Sequence, residues 1–125
     1  MHARLAGALI LGVVSLGAAP PAVNLTTDVD MAGPAQSVVF LEREFAPGQS
    51  SGLHLHHGVE MNVVIQGELR VTLKGEAPRI MRAGDSILIP RETPHEAVNI
   101  GTGPAKVVIT YVVDKGRPLK EPVAP

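Results

Sequence analysis

Between Val38 and Val113 the chain is cut into short apolar runs by turn residues, and none has the length or spacing of an amphipathic helix. The runs are Val38 to Phe45, Gly52 to His56, Met61 to Gln66, Glu68 to Lys74, Ser86 to Ile89, His95 to Ile100 and Ala105 to Val113. Breaks fall at Pro47-Gly48, Gly58, Gly67, Gly75 to Pro78, Gly84-Asp85, Pro90 to Pro94 and Gly101 to Pro104. Closely spaced short strands of this kind predict an all-β antiparallel sandwich or barrel. The composition agrees: 45% of residues are hydrophobic but only 2% aromatic, so Val, Ile, Leu and Met must fill the interior, and β-branched residues pack well on a pleated sheet. Glu68 to Lys74 alternates, which leaves one face wet. Met61 to Ile65 and Val107 to Val113 are apolar on both faces and need a cover for their backs. In a chain of 125 residues that cover is the N-terminal arm or a second copy, and a homodimer is expected.

The length is that of one domain. His2 and Arg4 precede an apolar run from Leu5 through Leu16, followed by Ala18-Ala19-Pro20-Pro21-Ala22. This is the layout of a signal peptide, too short to span a bilayer, with cleavage after Gly17, Ala19 or Ala22. The expected organisation is a signal peptide at 1–22, a small, polar N-terminal arm at 23–37, the β-barrel at 38–114 and an extended, Pro-rich surface tail at 115–125. Such a protein is exported, periplasmic or extracellular. The formal net charge is -1, from 11 basic and 12 acidic residues with no cluster of either sign. That distribution offers nothing to nucleic acid, or to a membrane once the signal is removed. There is no cysteine, so disulfides, thiolate metal sites and thiol catalysis are excluded, and any metal must be held by nitrogen and oxygen.

His54 and His56 carry the chemistry. Side chains at i and i+2 share a face on a strand but diverge by about 200° on a helix, so the pair makes sense only as a strand. Glu60 follows four residues later, after Gly58 lets the backbone turn, and its carboxylate can close on the same point. Two imidazoles and a carboxylate form the open triad of mononuclear iron sites, which other divalent metals share. His95 opens a later strand behind the rigid Thr93-Pro94 step and is the candidate fourth ligand. Three His and one Glu leave positions open on a six-coordinate ion, as catalysis requires.

These residues resemble the two signature motifs of the cupin superfamily. Gly48, His54, His56, Glu60 and Gly67 match the first motif in full: Gly, five residues, His-x-His, three residues, Glu, six residues, Gly. Gly84, Pro90, His95 and Asn99 match the second, with Glu92 standing where the family has Gly. A glycine there indicates a positive φ that Glu tolerates badly, so the loop from Arg91 to Pro94 is expected to differ in shape. The resemblance covers roughly residues 38 to 113. It implies a cupin-type antiparallel β-barrel, or double-sheet jelly roll, commonly dimeric, with one divalent transition metal inside. Imidazole and carboxylate together suit Mn, Fe, Ni, Co, Cu or Zn.

His57 should point away from its neighbours, towards solvent or a dimer contact. Asn62 shares the parity of Glu60 and either lines the cavity as a donor or is an ordinary polar position. Asn99 is a candidate for turn hydrogen bonding. Asn24-Leu25-Thr26 matches a glycosylation acceptor. No phosphate-binding loop, dinucleotide fingerprint, nucleophile elbow or helical zinc motif is present. The leading functional expectation is a dioxygenase-like enzyme acting on a small oxygen-bearing molecule. The second is a non-catalytic module that binds a small-molecule ligand or the metal itself. The third, a sugar-acid isomerase or lyase, calls for an inward Lys or Arg to hold a carboxylate, and strand parity offers no convincing candidate.

Overall fold

A computed structural model describes residues 33–124. Residues 1–22, expected to be a signal peptide, and the expected arm up to residue 32 lie outside the described residues. The described strands are β1 (Gln36–Phe45), β2 (His54–Leu55), β3 (Gly58–Gln66), β4 (Glu68–Leu73), β5 (Arg79–Arg82), β6 (Ser86–Ile89), β7 (His95–Asn99), β8 (Ala105–Asp114) and β9 (Glu121–Pro122). They form two antiparallel sheets, one ordered β1-β8-β3-β6 and the other β5-β4-β7-β2-β9. This is the all-β, cupin-type jelly roll expected of the sequence.

The two sheets enclose an aliphatic core. On β8, Val107, Ile109, Tyr111 and Val113 point inward in strict alternation. They meet Leu69, Val71 and Leu73 of β4 and Ile87 and Ile89 of β6. A fully buried Val or Ile stabilises the fold by about 1.5–3 kcal/mol relative to exposure, so the alternation fixes which face of each strand turns in. β1 and β8 pair over their whole length, from Gln36 opposite Asp114 to Phe45 opposite Ala105. Gln36 and Ser37, read as part of the arm, therefore belong to the sheet.

The outer face of the four-stranded sheet is apolar. Val38 and Phe40 are 70% and 72% exposed, and Met61, Val63 and Ile65 of β3 are also exposed. The register sets Phe40 opposite Thr110, Thr110 opposite Met61, and Met61 opposite Leu88, so the apolar patch crosses all the strands of that sheet.

Local structure departs from the sequence reading in several places. Gly58 is not a turn but the first residue of β3, opposite Val113. A Cβ there would run into Val112 O and lie 2.5 Å from Val113 Cα, so glycine is required by the close approach of β8. Arg79–Arg82 forms an edge strand that hydrophobic spacing did not reveal, because Met81 alone is buried in it. In the segment read as an extended surface tail, Glu121 and Pro122 pair with Leu55 and His54 and add a short edge strand beside β2.

Candidate metal centre

Glu60 comes from the four-stranded sheet, while His54 and His95 sit directly opposite one another on β2 and β7 of the other sheet. His56 lies just beyond β2. All these side chains are buried. Each offers one ligand atom, and those atoms lie within 4.8 Å of one another. Ligands about 2.0–2.2 Å from a common ion stand up to about 4.4 Å apart, so a small inward movement would complete the sphere.

Hydrogen bonding sets how the rings point. His54 Nδ1 lies 2.7 Å from Gly52 O and His95 Nδ1 lies 2.8 Å from Thr93 O. His56 Nδ1 meets Leu119 O. A carbonyl oxygen can only accept, so each Nδ1 carries a proton and each Nε2 faces the cluster, which is the ligating arrangement. His95 Nε2 and His56 Nε2 stand 2.9 and 2.8 Å from Glu60 Oε2. The His56 contact is short but poorly aligned, which leaves Nε2 without a hydrogen-bond partner in a buried site. A buried nitrogen left in this state, in a set of three imidazoles and one carboxylate, fits a divalent transition metal.

The protonation states agree. Burial pushes the His54 pKa down to about 4, reinforced by the neighbouring His95 and His56 and only partly opposed by Gly52 O. The ring is therefore neutral at ordinary pH. Burial works to raise the Glu60 pKa, but the His56 and His95 rings beside it and the Asn62 amide together hold it well below the usual carboxylate range. Asn62 Nδ2 donates to Glu60 Oε1 at 2.8 Å, so this residue lines the cavity and orients the carboxylate. Tyr111 packs its ring 4.7 Å from that of His56, and its hydroxyl is pushed upward by burial and by Glu60.

The cavity beside the cluster is small, about 30 Å³ of space open to a water-sized sphere, which admits a water or two and sets a tight limit on the size of any ligand. Val64, Ile89, Val107 and Ile109 supply an apolar wall. Arg43 of β1 also lines it, which corrects the reading that no inward cation is available. The signal was there: Arg43 lies two residues from both Leu41 and Phe45, inward-facing positions of the same strand.

His57 is likewise not at the surface. It is 8% exposed, with Nδ1 2.7 Å from Glu92 Oε1 and Nε2 2.7 Å from Glu121 Oε2. Hydrogen bonds to Glu121 and Glu92 raise its pKa, partly opposed by burial and by Arg117. Glu92 itself adopts φ 58°, so the residue in the family's glycine position takes the backbone conformation that glycine favours. Asn99 ends β7 and ties down the turn after it: Nδ2 donates to Phe45 O and Gly103 O, and Oδ1 accepts from Gly101 N. The backbone carbonyl of Leu119 has no sequence signature at all.

Comparison with known proteins places this geometry in a family. The family model described as Cupin domain matches residues 41–112. Oxalate oxidase GF-2.8 of Triticum aestivum is 34% identical over 76 residues, covering 54% of this chain and 34% of the relative. The chain thus spans about a third of the length of the curated relatives it matches. Among solved structures, a recombinant oxalate oxidase in complex with glycolate superposes with TM-score 0.56 and 32% identity, over 59% of this chain and 41% of that one. A predicted oxalate decarboxylase from Thermotoga maritima gives TM-score 0.56 and 25% identity, over 60% and 65%. The motifs, the two-sheet architecture and the family match together make this chain a member of the cupin domain family.

Proposed function

We propose that this cupin is a metal-dependent, dioxygenase-like enzyme acting on a small oxygen-bearing molecule, with His54, His56, Glu60 and His95 holding one divalent transition metal. The observation that carries the reading is the tethering of all three Nδ1 atoms to backbone carbonyls, which turns three Nε2 atoms towards an ionised, buried Glu60. A bound ion would supply Lewis-acid and redox chemistry there. The chain's own residues do the rest. Gly52, Thr93 and Leu119 carbonyls fix the ring planes, Asn62 holds the second oxygen of Glu60, and the aliphatic wall excludes water. Four of the relatives are named for oxidising oxalate, which supports small organic acids, oxalate first, as candidate substrates.

The test is elemental analysis of protein from its native compartment, then oxygen uptake with oxalate after reconstitution with Mn, Fe, Co, Ni, Cu and Zn in turn. His54→Ala should lose the metal, and the wild type should consume oxygen with at least one ion. No uptake with any ion, together with tight ligand-linked thermal stabilisation, would favour the alternative of a non-catalytic small-molecule or metal-binding module. We further propose that the protein is exported and that two copies pair through the outer face of the four-stranded sheet. Mass spectrometry of the mature chain would detect cleavage after Gly17, Ala19 or Ala22.

A further inference from the structure

The cavity holds a charge that the metal centre does not use. Arg43 lines it together with His54, Glu60 and His95. Its guanidinium lies 4.4 Å from the centroid of the Phe45 ring, and among the described residues it makes no hydrogen bond or ion pair. Its strand neighbours Glu42 and Glu44 project to the opposite face and are exposed. The inward-facing acid, Glu60, is committed to His56, His95 and Asn62. Stacking on an aromatic ring holds the guanidinium only weakly and leaves its N–H donors without an acceptor. Tyr111, whose ring packs on His56, lines the same cavity as Arg43.

A planar fork of donors in a small cavity fits a carboxylate, which it can hold through two parallel hydrogen bonds. We infer that Arg43 is the specificity-determining residue of this site, receiving the carboxylate of a small organic acid whose other oxygen-bearing end faces His54, Glu60 and His95. This rests on the metal-centre reading above and adds to it the residue that selects the substrate. The acid must be short, because the cavity is shared with the ligand cluster and walled by aliphatic side chains. A neutral molecule of the same shape leaves the guanidinium unpaired and loses the advantage.

The experiment is calorimetric titration of full-length, metal-loaded protein with glycolate, oxalate and malonate, and with glycolamide as the neutral match of glycolate. Wild type, Arg43→Gln and Arg43→Lys are compared, with metal content measured on each sample. The inference expects Arg43→Gln to weaken acid binding about 10- to 100-fold, the loss of a charge-assisted pair, with glycolamide binding and metal content unchanged. Arg43→Lys, which keeps the charge but not the fork, should fall between the two. Equal binding of the acids by wild type and Arg43→Gln overturns the inference while leaving the metal centre standing. So does a metal-replete wild type that binds none of the acids. If Arg43→Gln loses metal or fails to fold, Arg43→Lys decides: binding as tight as wild type overturns the forked contact, and a partial loss with full metal content supports it. Absence of metal from the wild type instead removes the reading on which the inference rests.

Discussion

Glu92 shows how a departure from a family pattern can be compensated on the spot. It is the residue other than glycine with positive φ among those described, a conformation costing a side chain about 1–2 kcal/mol. In return, its carboxylate meets the buried ring of His57. The two effects separate by substitution. Glu92→Ala keeps the strained backbone and loses the ion pair, whereas Glu92→Gly loses the pair and relieves the strain. Urea unfolding should find the glycine variant about 1 kcal/mol more stable than the alanine variant, and equal midpoints would refute the account. The neighbouring Arg91 grips Asp114 through two hydrogen bonds, at 2.8 and 2.6 Å. The Arg91 hydrogen bonds hold the Asp114 carboxyl below its usual range. A depressed carboxylate pKa contributes stability above the unfolded value, near 3.8, and loses it as pH falls through the folded value. Stability measured against pH should therefore drop more steeply below about pH 4 for wild type than for Asp114→Asn. Parallel curves would show that the pair does nothing for the fold.

β9 and the segment before it support the candidate metal centre from outside. Leu119 O orients His56, Glu121 binds His57, and Pro122 pairs with His54, so this peripheral segment touches His54 and His56 of the first motif and the neighbouring His57. Ending the chain after Gly116 should reduce metal affinity about 10- to 100-fold in competition with a chelator, the usual effect of losing a ligand's supporting contact. Unchanged affinity would show that Gly52 and Thr93 suffice. None of this could be read from KGRPLKEPVAP, where pairing is made by backbone and few side chains are buried. β5 escaped for the same reason, whereas β8 was plain because each alternate residue is buried. The gathering of His54 and His56 with Glu60 and His95 was legible because spacing on a strand fixes which side chains share a face. What closes behind those ligands was not, since carbonyls and cross-sheet partners such as Leu119 and His57–Glu121 leave no trace in local pattern.

Among the described residues, the outer face of the four-stranded sheet is apolar. Phe40, Val38, Met61 and Val63 form a connected patch on the four-stranded sheet, an arrangement that marks an association surface in soluble proteins. Light scattering at micromolar concentration should give twice the chain mass for wild type and the chain mass for Phe40→Glu, with circular dichroism unchanged. A wild-type monomer would exclude pairing through this face. The second consequence lies between the sheets. Because Glu60 belongs to one layer and His54 and His95 to the other, an ion seated among them cross-links the sandwich at its middle. Its binding free energy is then added to the resistance of the layers to parting, about 2.7 kcal/mol at an ion concentration one hundred times the dissociation constant. If an ion does bind there, removing it would loosen the sandwich as well as empty the site.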